Sequence, residues 1–214
     1  MGLLSLIFFV AIFSQAFDFA ETDCSCDGTK PVTVILELFV ADLIKIDPER
    51  LEVELLLIVN HAWRKKDAPT SITRGESESC VVEEYFEDFF DTNWHPVLTF
   101  VNERKFEIQQ GPYFQVFRYG TVWTTYHAKV IFPCKSVDSE GTLVCTMKYE
   151  SYNYSALEVS LRNDREDEPI VFMGNRTVPP NYNCTKESGS VTRVTYPAGL
   201  WYSALFTLRF EPIK

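Results

Sequence analysis

Histidine is scarce in this chain of 214 residues, with only three: His61, His95 and His127. None has a metal-ligating neighbour two to four positions on, so each reads as a surface or structural residue. There is no H-E-x-x-H, no G-x-S-x-G and no glycine-rich phosphate loop, which removes the usual signatures of zinc proteases, serine hydrolases and nucleotide-binding enzymes. Cys24-Ser-Cys26 is too tightly spaced for the common zinc sites. The acidic groups Glu83-Glu84 and Glu166-Asp167-Glu168 lie inside charge runs and read as solvated faces. No catalytic constellation emerges, and the chain is not expected to be an enzyme. Basic residues are also in deficit. Lys and Arg total 20 against 30 Asp and Glu, for a formal charge of -10, which argues against nucleic acid as a partner. Beyond the first 20 residues no run of 18 apolar residues occurs, so no membrane-spanning helix is expected. Internal repeats and low-complexity tracts are absent.

What is present begins with Met1-Gly-Leu-Leu-Ser-Leu-Ile-Phe-Phe-Val-Ala-Ile-Phe13, an apolar run of signal-peptide length. Ser14-Gln-Ala16 fits the small-x-small cleavage rule, and Ala20 is a later alternative. Residues 1–20 are therefore read as a signal peptide, with an N-terminal anchor as the competing reading. Residues 21–214 form one domain long enough for a full core. Six cysteines behind a secretion signal imply disulfides. Three N-x-S/T sequons, at Asn153, Asn175 and Asn183, agree with a secreted, extracellular glycoprotein.

Pro31 to Ile46 and Leu51 to Trp63 are apolar, β-rich runs around Asp47-Pro48-Glu49, and predict a long hairpin. Arg64 to Ser79 reads as a charged loop, and Cys80 to Phe90 is ambiguous. Further strands are expected at 94–101, 106–108, 113–118, 121–132 and 157–161. Val178 to Ser190 reads as irregular, and a last hairpin joins 190–196 to 202–210 around Pro197-Ala-Gly199. About ten strands at short spacing without a convincing long helix predict an all-β sandwich or barrel. Trp63 and Trp94 are expected in the core.

Cys134 and Cys145 flank a short polar hairpin. In the outgoing run Cys145, Met147 and Tyr149 share one face, and Thr146 and Lys148 the other, the period of a half-buried strand. A disulfide here would close a loop of about a dozen residues, a constraint of roughly 3 kcal/mol in the chain-entropy description. Aromatic residues gather near predicted turns: Trp94, Trp123, Tyr152, Tyr154, Tyr196, Trp201 and Tyr202. Rings on loops can cage a cationic or amphipathic ligand.

These segments together resemble the extracellular ligand-binding domain of Cys-loop receptors, the pentameric ligand-gated ion channels, and the soluble acetylcholine-binding proteins related to it. Pro31-Val-Thr-Val-Ile-Leu-Glu-Leu resembles the first strand and Leu51 to Trp63 the second. Trp94-x-Pro…Asn102 resembles the family's W-x-P-D…N segment, with Val97 in place of the aspartate. Gly120-Thr-Val-Trp123 and Cys145-Thr-Met-Lys-Tyr-Glu-Ser-Tyr-Asn-Tyr154 resemble the stretches before and after the signature loop. That loop departs from the receptor pattern: ten mostly polar residues separate the cysteines, where the receptors place thirteen with an apolar core that docks on the membrane domain. The chain also ends shortly after Phe210, where the receptors begin a membrane helix.

The resemblance implies an immunoglobulin-like twisted β-sandwich of the nicotinic-receptor ligand-binding type, and a secreted homopentamer binding a small molecule at subunit interfaces. It implies no membrane domain in this chain and no cofactor or metal. Matched position by position, the ligand box holds Val101, Tyr152 and Tyr196 on one face and Ile58, Trp123 and Thr125 on the other, while Trp201 and Tyr202 are candidates beside it that do not fall on the family's expected tyrosine. Two rings are missing, at Ile58 and Val101, and Thr195-Tyr196-Pro197 stands where vicinal cysteines are usual. Weak or absent acetylcholine binding is expected, and a non-cholinergic ligand is compatible with the depleted box. Alternatives are a gating domain of a channel, or a structural pentamer that has lost ligand binding. Only Glu21 to Thr29 is available for the family's N-terminal helix. The pairing of Cys24, Cys26, Cys80 and Cys184 stays open among three arrangements.

Overall fold

The structure, a computed structural model, describes residues 30–64, 81–85, 94–117, 120–163, 170–173 and 181–213. The expected signal peptide, the short N-terminal helix, Cys24, Cys26, Cys80 and Asn175 lie outside the described residues. Eleven strands and no helix occur among them: β1 (Val32–Asp47), β2 (Glu52–Arg64), β3 (Val81–Tyr85), β4 (Leu98–Phe100), β5 (Lys105–Phe117), β6 (Thr121–Ser136), β7 (Leu143–Ser151), β8 (Val159–Asn163), β9 (Ile170–Phe172), β10 (Tyr182–Tyr196) and β11 (Gly199–Pro212).

The predicted first hairpin is there: β1 and β2 pair antiparallel from Ile35 opposite Ala62 to Asp47 opposite Glu52. Its turn places Leu51 at φ 53°, and Asp47 Oδ1 accepts from the Arg50 N–H at 3.0 Å. β2 pairs with β6, β6 with β5, and β5 with β3, while β8 and β9 run parallel to β1. The second layer is β10–β11–β7, with β4 on β7. Strand β6 joins the layers: its length to Pro133 pairs with β2, and Cys134–Ser136 pair with β7.

Alternation fixes the core between the layers. Val53, Leu55, Leu57 and Val59 of β2 and Val122, Ala128, Val130 and Phe132 of β6 point inward and are buried. They meet Met147 and Tyr149 of β7 and Phe206, Leu208 and Phe210 of β11. The inward face of β7 is the one read from sequence.

Three expectations are corrected. Val178 to Ser190 is not irregular throughout, because β10 already starts at Tyr182 and pairs with β11 as far as Tyr196, with one register shift between Lys186 and Ser188. The pieces expected at 106–108 and 113–118 are one strand, β5, carried through bulges between Ile108, Gln110 and Tyr113. The run 94–101 contains only three strand residues, Leu98–Phe100.

Candidate functional site

Four chain segments are tied together at the C-terminal end of β7. The Tyr152 N–H donates to Val97 O at 2.7 Å, and the Val101 N–H to Lys148 O at 2.9 Å, which fixes the segment 94–101 alongside. Asn102 completes this seam, its side chain donating to Thr146 O at 2.7 Å and accepting from the Lys148 N–H at 2.9 Å. The Ala156 N–H donates to Leu200 O at 2.7 Å and ties the loop after β7 to β11. The tip of the β10–β11 hairpin then lies over β7.

That tip is held by polar contacts. Tyr196 Oη donates to Glu150 Oε1 and Oε2 at 3.1 and 3.0 Å. Lys148 Nζ reaches Glu150 Oε1 at 2.7 Å and also bonds Tyr196 Oη. Glu150 is buried, with 4 % of its surface exposed. Burial pulls the Lys148 ammonium down, but its bonds to Glu150 and Tyr196 outweigh that and hold its pKa above the usual lysine value. Ring contacts extend the cluster: Tyr196 meets Trp201 edge-on at 6.0 Å between centroids, and Trp94 meets Tyr154 at 5.4 Å. Tyr152 stands beside them 72 % exposed, with no hydrogen-bond partner for its hydroxyl among the described residues.

A second surface lies on the outer face of β2 and β6. Ile58, Trp123 and Thr125 alternate with the buried Leu57, Val59, Val122 and Thr124, so all three face away from the core. In register Ile58 is opposite His127, Asn60 opposite Thr125, and Ala62 opposite Trp123. Leu56 shares this face with Ile58. Tyr113 of β5, opposite Thr125, extends it.

A buried polar trio connects the strands that carry the two surfaces. Tyr149 Oη of β7 lies 2.7 Å from His61 Nε2 of β2 and 2.8 Å from Tyr126 Oη of β6. The His61 ring stacks on Tyr149 at 5.5 Å. Desolvation lowers the His61 pKa to about 3, and raises those of Tyr126 and Tyr149 above the usual phenol value, so all three stay neutral.

The predicted residues therefore fall into two groups within one chain. Tyr152, Tyr196, Trp201 and Val101 gather at the end of β7. Ile58, Trp123 and Thr125 lie on the outer face of the other layer. Tyr202 joins neither: it packs against the core, and Arg193 donates to its hydroxyl at 3.1 Å and covers its ring. Trp63 is in the core as expected, but Trp94 is not, being 42 % exposed against Tyr154. Sequence reasoning passed over Lys148 and Glu150 as site residues. Their only signal was a charged pair in the strand that leads into Tyr152.

The disulfide Cys134–Cys145 is formed, with Cα atoms 4.1 Å apart. Its hairpin is polar and closed on itself: Asp138 Oδ1 accepts from the Thr142 and Glu140 N–H groups at 2.9 and 3.0 Å. The bonds from Thr142, aided by Glu140, hold the Asp138 carboxyl below the usual range. Residues 135–140 are exposed. Cys184 is unpaired among the described residues, and burial pushes its thiol up to about 12. Asn153 and Asn183 are both exposed. No described helix is long and apolar enough to cross a membrane, and no group of three His, Cys, Asp or Glu suited to a metal occurs among the described residues.

Residues 14–211 match the family described as the neurotransmitter-gated ion-channel ligand binding domain. The acetylcholine-gated chloride channel subunit acc-2 of Caenorhabditis elegans is 24 % identical over 84 % of this chain and 41 % of its own length. Subunit acc-1 of the same organism is 23 % identical over 85 % of this chain and 39 % of its own. The chain thus spans about two fifths of these relatives. Among solved structures, AChBP from Bulinus truncatus superposes with a TM-score of 0.66 at 19 % identity, covering 86 % of this chain and 89 % of that one. That likeness is one of fold.

Proposed function

The chain belongs to the neurotransmitter-gated ion-channel ligand-binding-domain family, and on that premise we propose that it is a secreted homopentamer binding a small ligand between subunits. The end of β7 of one subunit, with Tyr152, Tyr196 and Trp201, faces the outer β2–β6 surface of the next, with Ile58, Trp123 and Thr125. The observation that carries this reading is the split of the candidate residues into two half-sites that one chain does not bring together. Each half is a partly exposed surface ordered by strand register, and a second copy would complete it. No bond is made or broken in such a site.

Ring faces attract an organic cation by about 0.5–2 kcal/mol each, according to desolvation. Glu150 is already ion-paired with Lys148, so rings rather than net charge would select the ligand. Ile58 and Val101 bring no ring, and acetylcholine is accordingly expected to bind weakly. The signal peptide at 1–20 and a mature domain from 21 belong to the same proposal. The exposed hairpin between Cys134 and Cys145 favours the soluble form over a channel's gating domain, because its polar residues suit water better than an apolar membrane-domain surface.

Calorimetric screening of small amines and amphipathic ligands tests the site. Tyr152→Ala and Tyr196→Ala should each weaken a bound ligand about tenfold or more, the loss of one ring at roughly 1.4 kcal/mol. Binding that both substitutions leave intact would exclude this surface.

A further inference from the structure

We propose that Asn153 carries an N-linked glycan, and that this glycan shields Tyr152 and acts as a steric gate on the aromatic end of β7. Asn153-Tyr-Ser155 is a sequon lying inside the loop that carries the most exposed aromatic of the site. Asn153 is exposed on the bend after β7, and its amide has no hydrogen-bond partner among the described residues. The bend holds itself without that amide: the Tyr154 N–H donates to Ser151 Oγ at 3.1 Å, and the Ser155 N–H and hydroxyl donate to Glu158 Oε2 at 3.1 and 3.2 Å. A sugar on Asn153 thus costs no native contact. In the transfer, Asn153 Nδ2 forms a bond to the anomeric carbon of a lipid-pyrophosphate oligosaccharide. The bond from that carbon to the pyrophosphate oxygen breaks, the amide gives up a proton and the lipid pyrophosphate leaves.

Tyr152 and Asn153 are consecutive. Their Cα atoms are about 3.8 Å apart and both residues are exposed, so a sugar on Asn153 is anchored one residue from the tyrosine ring. A bulky, hydrated chain anchored there occupies the space from which a ligand or a reagent approaches Tyr152. The sequon at Asn183 differs. It lies near the start of β10, opposite Glu211, at the far end of the hairpin from Tyr196. A glycan there leaves the aromatic cluster untouched.

Occupancy and shielding rest on the exposed loop alone. The consequence for ligands rests also on the reading of Tyr152 as a ligand residue. The test uses protein secreted from a eukaryotic host, the same protein after amidase removal of glycans, and Asn153→Gln. Peptide mapping should find Asn153 modified. Nitration of Tyr152 by tetranitromethane should run about threefold or more faster in both glycan-free forms, with Tyr182 unchanged. An unmodified Asn153 in the secreted protein, or equal nitration rates with and without the sugar, overturns the proposal. Faster nitration without binding of any small amine to either form upholds the shield and removes only the ligand reading.

Discussion

Tyr196 and Glu150 are partners across two strands: the hydroxyl at the hairpin tip donates to both carboxylate oxygens, at 3.0 and 3.1 Å, on β7 below. The carboxylate is buried, and Lys148 supplies its only counter-charge among the described residues. The hairpin is therefore latched to the strand that leads into Tyr152, at the edge of the proposed site.

Breaking the latch should loosen the tip. Glu150→Gln removes the charge but keeps the shape, and leaves Lys148 half-buried without a counter-ion. It should cost about 2–3 kcal/mol of stability. Tyr196→Phe removes only the hydroxyl and should cost about 1 kcal/mol. Hydrogen exchange of residues 195–200 should rise in both variants and more in the first. Unchanged exchange there would show that the hairpin is held by its own register alone.

His61 should make the fold acid-sensitive. Its folded pKa, about 3, lies below the unfolded value of 6.5. Between those values the unfolded chain binds the extra proton, so stability is full above about pH 6.5 and falls as the pH drops towards 3. At pH 4.5 the loss from this residue should be about 2–3 kcal/mol relative to pH 7. His61→Gln, which keeps an acceptor near Tyr149, should flatten that part of the profile in urea titrations. Parallel profiles for the two proteins would contradict it.

Gly111 should resist substitution. Its φ is +89°, and a Cβ there would lie 2.9 Å from the carbonyl oxygen of Thr125, a residue of the outer surface. Gly111→Ala should cost about 2 kcal/mol or more from backbone strain and the clash. Thermal unfolding reads the effect. A melting temperature equal to that of the parent would mean that β5 has room to move off β6.

The hairpin disulfide should contribute through the unfolded chain. Its ends are 11 residues apart, and replacing Cys134 and Cys145 together by serine should cost about 3 kcal/mol. Denaturant unfolding under non-reducing conditions measures it. A loss below about 1 kcal/mol would show that register alone closes the loop.

Much of the fold could be read from sequence wherever one strand face is buried and the other is not. The β1–β2 hairpin and the inward face of β7 are of that kind. The second half of β10, from Ser190 to Tyr196, is the strand expected there, but its first half reads as irregular because most of its residues are exposed, and pairing with β11 is what defines it. β5 was read as two pieces because Gln109-Gln-Gly-Pro112 looks like a break, whereas bulges carry the strand through it. Glu150 should have been exposed by the same alternation. It is buried because a hairpin some 46 residues further on folds over that face, and no local pattern carries such information. Trp94 departs in the opposite way: expected in the core, it stands 42 % exposed against Tyr154, which is itself half-buried at the core's edge.

The central claim is that a complete site needs two subunits. The mass of the secreted, deglycosylated protein, measured by size-exclusion chromatography with light scattering, tests it most directly. A mass near five chains is expected. A monomer at micromolar concentration would leave the end of β7 without the facing β2–β6 surface, and would contradict the shared site.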